Sequence, residues 1–243
     1  MTGELTDIWV YLSASPLLWL TTTIVVFQCC VWLNARLGGN PVLHPVLLSM
    51  GALIGILLLS GTDYDTYFEG AQFIHFMLGP ATVALGVPLY AHRRQIASMA
   101  LPLAIAGTVG ATVAAVSAVL IGALLGAERM TLLSLAPKSV TSPIAMGVTE
   151  KLGGLPSLTA ALVLITGATG AMVAPLLIRL LRIRDDAVKG FGMGLAAHGF
   201  GTAQAFSISA RAGAFAGLGL GLAGLITAFL LPLLAGWLPI QGR

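Results

Sequence analysis

The chain has 243 residues, of which 57% are hydrophobic and only 9% charged, and its mean hydropathy is +0.96. A soluble domain carries roughly a quarter charged residues, so this composition argues against a water-soluble globule and for a lipid bilayer. The net charge of +3 comes with no basic patch interleaved with aromatics, which argues against nucleic acid as a partner and marks the arginines as topogenic.

Apolar runs of about 20 residues are read as membrane segments. In chain order they cover Leu17–Leu33, Pro45–Ser60, Gln72–Tyr90, Leu101–Leu125, Met130–Val148, Leu158–Leu181, Gly190–Ser209 and Ala212–Leu238. The expectation is an all-α membrane protein of about eight hydrophobic segments, residues 1–243 forming one polytopic domain. In the first segment, Cys29 and Cys30 are adjacent, without a ligand set for a metal, and read as helix-packing residues. His44, just before Pro45, reads as a residue that starts a helix. The opening Met-Thr-Gly-Glu-Leu-Thr-Asp lacks a basic region, so no cleavable signal peptide is expected.

The fifth segment is the most informative. It holds Lys138 within Leu135-Ala136-Pro137-Lys138-Ser139-Val140-Thr141-Ser142-Pro143. A lysine at the centre of an apolar segment costs a few kcal/mol and normally faces a cavity or a partner. Two prolines break the helix around it, and freed backbone survives at membrane depth only where it lines protein or a wet cavity. An internal repeat relates this break to an earlier one. Leu78-Gly79-Pro80-Ala81-Thr82-Val83 matches Leu135–Val140, and Ile105–Ala114 matches Ile165–Ala174 at nearly the same spacing. Repeat blocks of about 72–126 and 130–184 follow, each with a Pro-broken or re-entrant helix, a pointer to a transporter binding site. If both Pro segments dip in and return, the repeats are inverted. With a cytoplasmic N-terminus, Arg93, Arg94, Arg179, Arg182, Arg184, Lys189 and Arg243 then lie inside. Arg36, Arg129, Lys151 and Arg211 lie outside, a bias that satisfies the positive-inside rule.

Every acidic residue falls at a segment end or in a loop, so Lys138 has no local acid to neutralise it. A small anion is the natural partner. The candidate substrate site comprises Pro80, Ala81, Thr82, Pro137, Lys138, Ser139, Thr141 and Ser142, with hydroxyls as donors and helix N-termini adding partial positive charge. The alternatives are a lysine reaching to the interface and hydroxyls bonded to their own helix. A second polar cluster, His198, Gly199 and Thr202, joins the candidate site. His198 is the first candidate for proton coupling and His75, shortly before Pro80, the second; the alternative for His198 is a histidine bonded to a neighbouring helix. No nucleophile elbow, phosphate loop or HExxH pattern is present, so an enzyme and a resident cofactor are not expected.

These motifs resemble the LrgB/CidB family, which includes bacterial YohK-type proteins and the plastid glycolate/glycerate carrier. The residues that carry the likeness are Asn40-Pro41, Tyr67-Phe68-x-Gly70, Leu78–Leu85, Pro88-Leu89-Tyr90, Leu135–Met146, Gly153-Gly154 and His198–Ala203. Thr141-Ser142-Pro143 stands where relatives often have Thr-Thr-Pro. The resemblance implies an inner-membrane, multi-pass protein, and it implies two functions. One is a secondary carrier of small monocarboxylates such as glycolate, glycerate or pyruvate. The other is a holin- or antiholin-like subunit modulating murein hydrolase activity, alongside a small LrgA/CidA-type membrane partner. A homo-oligomer is also expected.

Overall fold

The structure, a computed structural model, describes residues 16–39 and 43–234, and every regular element among them is helical. Asn40-Pro41, the residues before 16 and Arg243 lie outside the described residues. The chain divides into two compact units, one up to Ala84 and one from Leu85.

The first unit holds α1 (Pro16–Arg36), α2 (Pro45–Ser60) and α3 (Tyr64–Ala84), with α1 packed on both others. His44 starts α2 as expected, its Nδ1 accepting the Val46 N–H at 3.3 Å. Gly61 ends α2 at φ 65°, a left-handed cap that a side chain would strain. The Tyr67-x-x-Gly70 motif is the α1–α3 contact. A Cβ on Gly70 would fall 2.8 Å from the Cβ of Trp19, and Tyr67 meets the buried Trp19 ring edge-on at 5.9 Å. Pro80 departs from expectation. It sits inside α3, which continues to Ala84 as one helix rather than breaking at the proline. In lipid, local backbone adjustments and neighbouring groups let a helix run through a proline.

The second unit holds α4 (Gly86–Ala91), α5 (Arg93–Ser98), α6 (Ala100–Leu124), α7 (Arg129–Leu135), α8 (Ser142–Leu152), α9 (Pro156–Leu180), α10 (Asp186–Ile208) and α11 (Ala210–Leu234). Among the described residues, five helical stretches are long and apolar enough to cross a membrane: α1, residues 64–91, α6, α9 and α11. Two further apolar segments, 129–152 and 186–208, each turn back within the unit.

The first of these is a hairpin, as the spacing of the prolines suggests. After α7 the chain unwinds over residues 136–141, and α8 carries it back. Eleven helical residues rise about 16 Å. Yet Leu155, just beyond α8, donates its N–H to Ser134 Oγ at 2.8 Å, and Thr159 Oγ1 donates to the Ser134 carbonyl at 3.0 Å. Both limbs therefore open at the same end.

The second hairpin corrects the sequence reading, which took residues 190–209 as one crossing. A straight helix of 23 residues would hold its ends roughly 33 Å apart. Instead Ser209 Oγ donates to Asp186 Oδ2 at 2.9 Å. The reversal is at His198, whose φ of 39° and ψ of −120° are not helical. Two half-helices, 186–197 and 199–208, lie back to back, with Gly201 against the Met193 carbonyl. Glycine is what permits this: a Cβ at Gly190 or Gly194 would collide with the backbone of Ala212 or Ala216 in α11. The repeated Ile105–Ala114 and Ile165–Ala174 blocks serve the same end. Gly110 of α6 faces Leu195 and Gly170 of α9 faces Ala197, both on the first limb.

Candidate functional site

The two hairpins enter the second unit from opposite ends. The second roots where α6 and α11 begin, since Leu103, Ala187, Phe191 and Phe215 share one buried cluster. The first roots where α6 and α11 finish, with Val119, Leu132, Leu133, Val148 and Leu231 in another. Their tips meet midway. Val140 and Ala145 of the first pack with Val163 of α9, Ala223 of α11 and Leu195 of the second.

Lys138 sits on the first tip, half-buried, beside the fully buried Pro137. Its Nζ donates to Ser139 Oγ at a long 3.4 Å, and no carboxylate pairs with it among the described residues. His198, the second tip, is buried at 5% exposure. Its Nε2 lies 3.1 Å from the Val163 carbonyl, which can only accept, so this nitrogen carries the proton and Nδ1 is left to face other partners. The imidazole and Val140 of the first tip thus share Val163 of α9 as a neighbour. Its position depends on Gly167, where a Cβ would fall 2.5 Å from His198 Cε1.

The helix termini add to this centre. Thr141 is the N-cap of α8 without a side-chain cap bond, and Ser142 and Pro143 open the helix. Gly199 opens the second limb of the other hairpin. Two helix N-termini thus converge beside one lysine, a concentration of positive potential without a fixed anion. A cleft of about 10 Å³, lined by Ala111, Pro137, Ser139, Leu195 and Thr227, lies against the first tip and has room for about one water. Admitting an organic anion requires the tips to separate.

The expected site residues divide accordingly. Pro137, Lys138, Ser139, Thr141, Ser142, His198, Gly199 and Thr202 all belong to the two tips. Thr202, however, donates to the His198 carbonyl four residues back at 2.8 Å, so its proton is used within its own helix. Pro80, Ala81 and Thr82 lie in the first unit near the end of α3, with Pro80 and Ala81 exposed. His75 is exposed on the same helix, its ring against Phe68.

Comparison with known proteins now bears on the assignment. The LrgB-like family matches residues 23–237, nearly the whole chain. The chain belongs to the LrgB family. It is 36% identical over 194 residues to the uncharacterized protein YwbG of Bacillus subtilis, covering 80% of this chain and 86% of the relative. It is 33% identical over 198 residues to YxaC of the same organism, with coverage of 82% and 86%. The holin-like protein CidB of Staphylococcus epidermidis is 29% identical over 227 residues, with coverage of 92% and 96%. No solved structure matches. Family and apolar helices together make this LrgB protein a multi-pass membrane protein.

Sequence reasoning missed the groups that hold the LrgB hairpins in place. At the root of the first, Ser134, Thr149 and Thr159 are fully buried, and Thr149 and Thr159 share a 2.8 Å hydroxyl bond. At the root of the second, Arg211 pairs with Asp185 at 3.0 Å and donates to Gln95 Oε1 at 3.2 Å. Arg211 was expected opposite Arg93, Arg94 and Arg182; the structure puts it at their end, because residues 186–208 return rather than cross. The adjacent Asp185-Asp186 pair beside a lone Arg211 was the available signal.

Proposed function

We propose that this LrgB protein is a secondary carrier of small monocarboxylate anions of the glycolate, glycerate or pyruvate kind. The observation that carries the reading is the meeting of two oppositely rooted hairpin tips at Lys138 and His198. A pore needs no such closed centre, whereas alternating access needs a central site that each end can reach in turn. Lys138 would pair with the carboxylate, and the termini at Ser142 and Gly199 would complement its charge. His198 Nδ1 would accept from a substrate hydroxyl or take a coupled proton. Arg93, Arg94, Arg179, Arg182, Arg184, Lys189 and Arg211 share one end of the second unit, against Arg129 and Lys151 at the other. The positive-inside rule makes the first end cytoplasmic.

The holin-like name of the staphylococcal relative favours a second reading, a holin-like membrane subunit acting alongside a small LrgA/CidA-type partner. Proteoliposome uptake of labelled glycolate, glycerate and pyruvate, with and without a proton gradient, separates the two. Saturable uptake by the purified chain alone supports the carrier. Unselective leakage of a neutral dye of similar size, without saturable uptake, removes it.

A further inference from the structure

At the basic end of the second unit, a cleft of about 330 Å³ opens between α9 and both limbs of the second hairpin. Its volume falls at the lower end of the range of small-molecule sites, about 300–1,000 Å³. Pro175 and Met193 form its apolar wall, and Arg179, Lys189, Gln204 and Ser207 its polar one. Two of these four polar groups are already engaged. Ser207 Oγ donates to the Gln204 carbonyl within its helix, and Lys189 pairs with Asp186 at 2.8 Å. Arg179 makes no ion pair among the described residues. Gln204 Oε1 is buried and without a hydrogen-bond partner. A buried amide atom left unpaired costs about 1–3 kcal/mol, so such a group in a cleft calls for a partner, a water or a ligand. Rotating the amide would exchange acceptor for donor but leave one buried polar atom unpaired.

We propose that this cleft is a second oxyanion site, taking a small hydroxycarboxylate on its way to or from the hairpin tips. The ligand class rests on the carrier reading above. Arg179 offers a planar fork that matches a carboxylate and the Gln204 amide would meet the hydroxyl, while Lys189 stays paired with Asp186. An anionic lipid headgroup presents similar chemistry at a membrane boundary, and the test separates the two sources.

The test is equilibrium binding of labelled glycolate to the purified full chain in neutral detergent, with retained phosphatidylglycerol measured by mass spectrometry. Two glycolate sites per chain are expected. Arg179→Gln, at an exposed position, should weaken one of them about ten- to a hundredfold, the loss expected for a charge-assisted bond. Gln204→Leu should weaken the same site while leaving thermal stability equal or higher, because it removes the unpaired amide; a purely structural glutamine would lower it. Lys138→Ala should abolish the other site only. Unchanged binding in Arg179→Gln overturns the proposal, as does loss of phosphatidylglycerol in that variant with both glycolate sites intact. A site lost in Arg179→Gln but none in Lys138→Ala sustains the cleft and sinks the central site instead.

Discussion

The two hairpins reach the same place by different chemistry. The first is fastened to α9 by buried hydroxyls: Ser134, Thr149 and Thr159 bond one another and the backbone where no water competes. Each such bond contributes about 0.5–1.5 kcal/mol, and an orphaned partner costs more. The second is fastened to α11 by backbone contact at Gly190 and Gly194, and at its root by the part-exposed Arg211–Asp185 ion pair. It meets α9 at Ala197 and His198 and leaves a cleft against it beside Pro175 and Arg179. A hydroxyl network fixes direction as well as distance, whereas small residues let two backbones approach closely. The first hairpin is accordingly held by directional bonds and the second by close backbone packing.

Lys138 tests the tips most severely. Lys138→Ala should abolish saturable uptake with the chain still folded in the membrane, and Lys138→Arg should be badly impaired, because the two cations differ in shape and hydration. Losing a charge-assisted bond weakens binding by about one to two decades. Wild-type affinity and rate in purified Lys138→Ala would sink the anion site.

Gly167→Ala probes the opposite tip. The added methyl meets the His198 ring, and overpacking of this kind costs about 1–3 kcal/mol. Uptake should fall and its pH profile shift while first-hairpin amide exchange stays protected; equal deprotection of both hairpins would contradict their independence. Thr159→Val keeps the volume and removes the hydroxyl. It should cost about 1–3 kcal/mol by thermal unfolding and expose the first hairpin alone to exchange. Exchange rising first in the second hairpin would reverse the comparison.

Arg211→Ala is the mildest change. An exposed pair of this kind is worth about 0–1 kcal/mol, so stability should barely move while exchange at residues 186–190 rises. The pH dependence has a definite sign. Hydrogen bonds from Lys189 and from Ser209 hold the Asp186 carboxyl below its ordinary range. Its contribution is therefore complete above the unfolded carboxylate pKa, near 4, and is lost as pH falls through the lower folded value. The exchange protection factor at the second root, corrected for the intrinsic pH dependence of amide exchange, should be flat from pH 8 to about 5 and fall only in stronger acid; a fall near pH 6 would implicate a histidine instead.

Composition was enough to place the chain in a bilayer, because so few charged residues leave no alternative solvent for its surface. Lys138 between Pro137 and Pro143 was enough to mark broken backbone around a positive charge, since proline acts locally on the helix that carries it. Near-repetition of the glycine blocks was legible too, though not that Gly110 and Gly170 both face one limb of the second hairpin. The sequence could not reveal that residues 186–208 turn back. Their apolar length suits a crossing, and no proline interrupts them; the reversal depends on φ at His198 and on Gly190 and Gly194 meeting the backbone of α11. Nor could it tell Pro80, which lies within a continuous helix, from Pro137, which lies at a tip. A proline removes the same hydrogen bond in both, and only the surrounding packing decides whether the chain continues or turns.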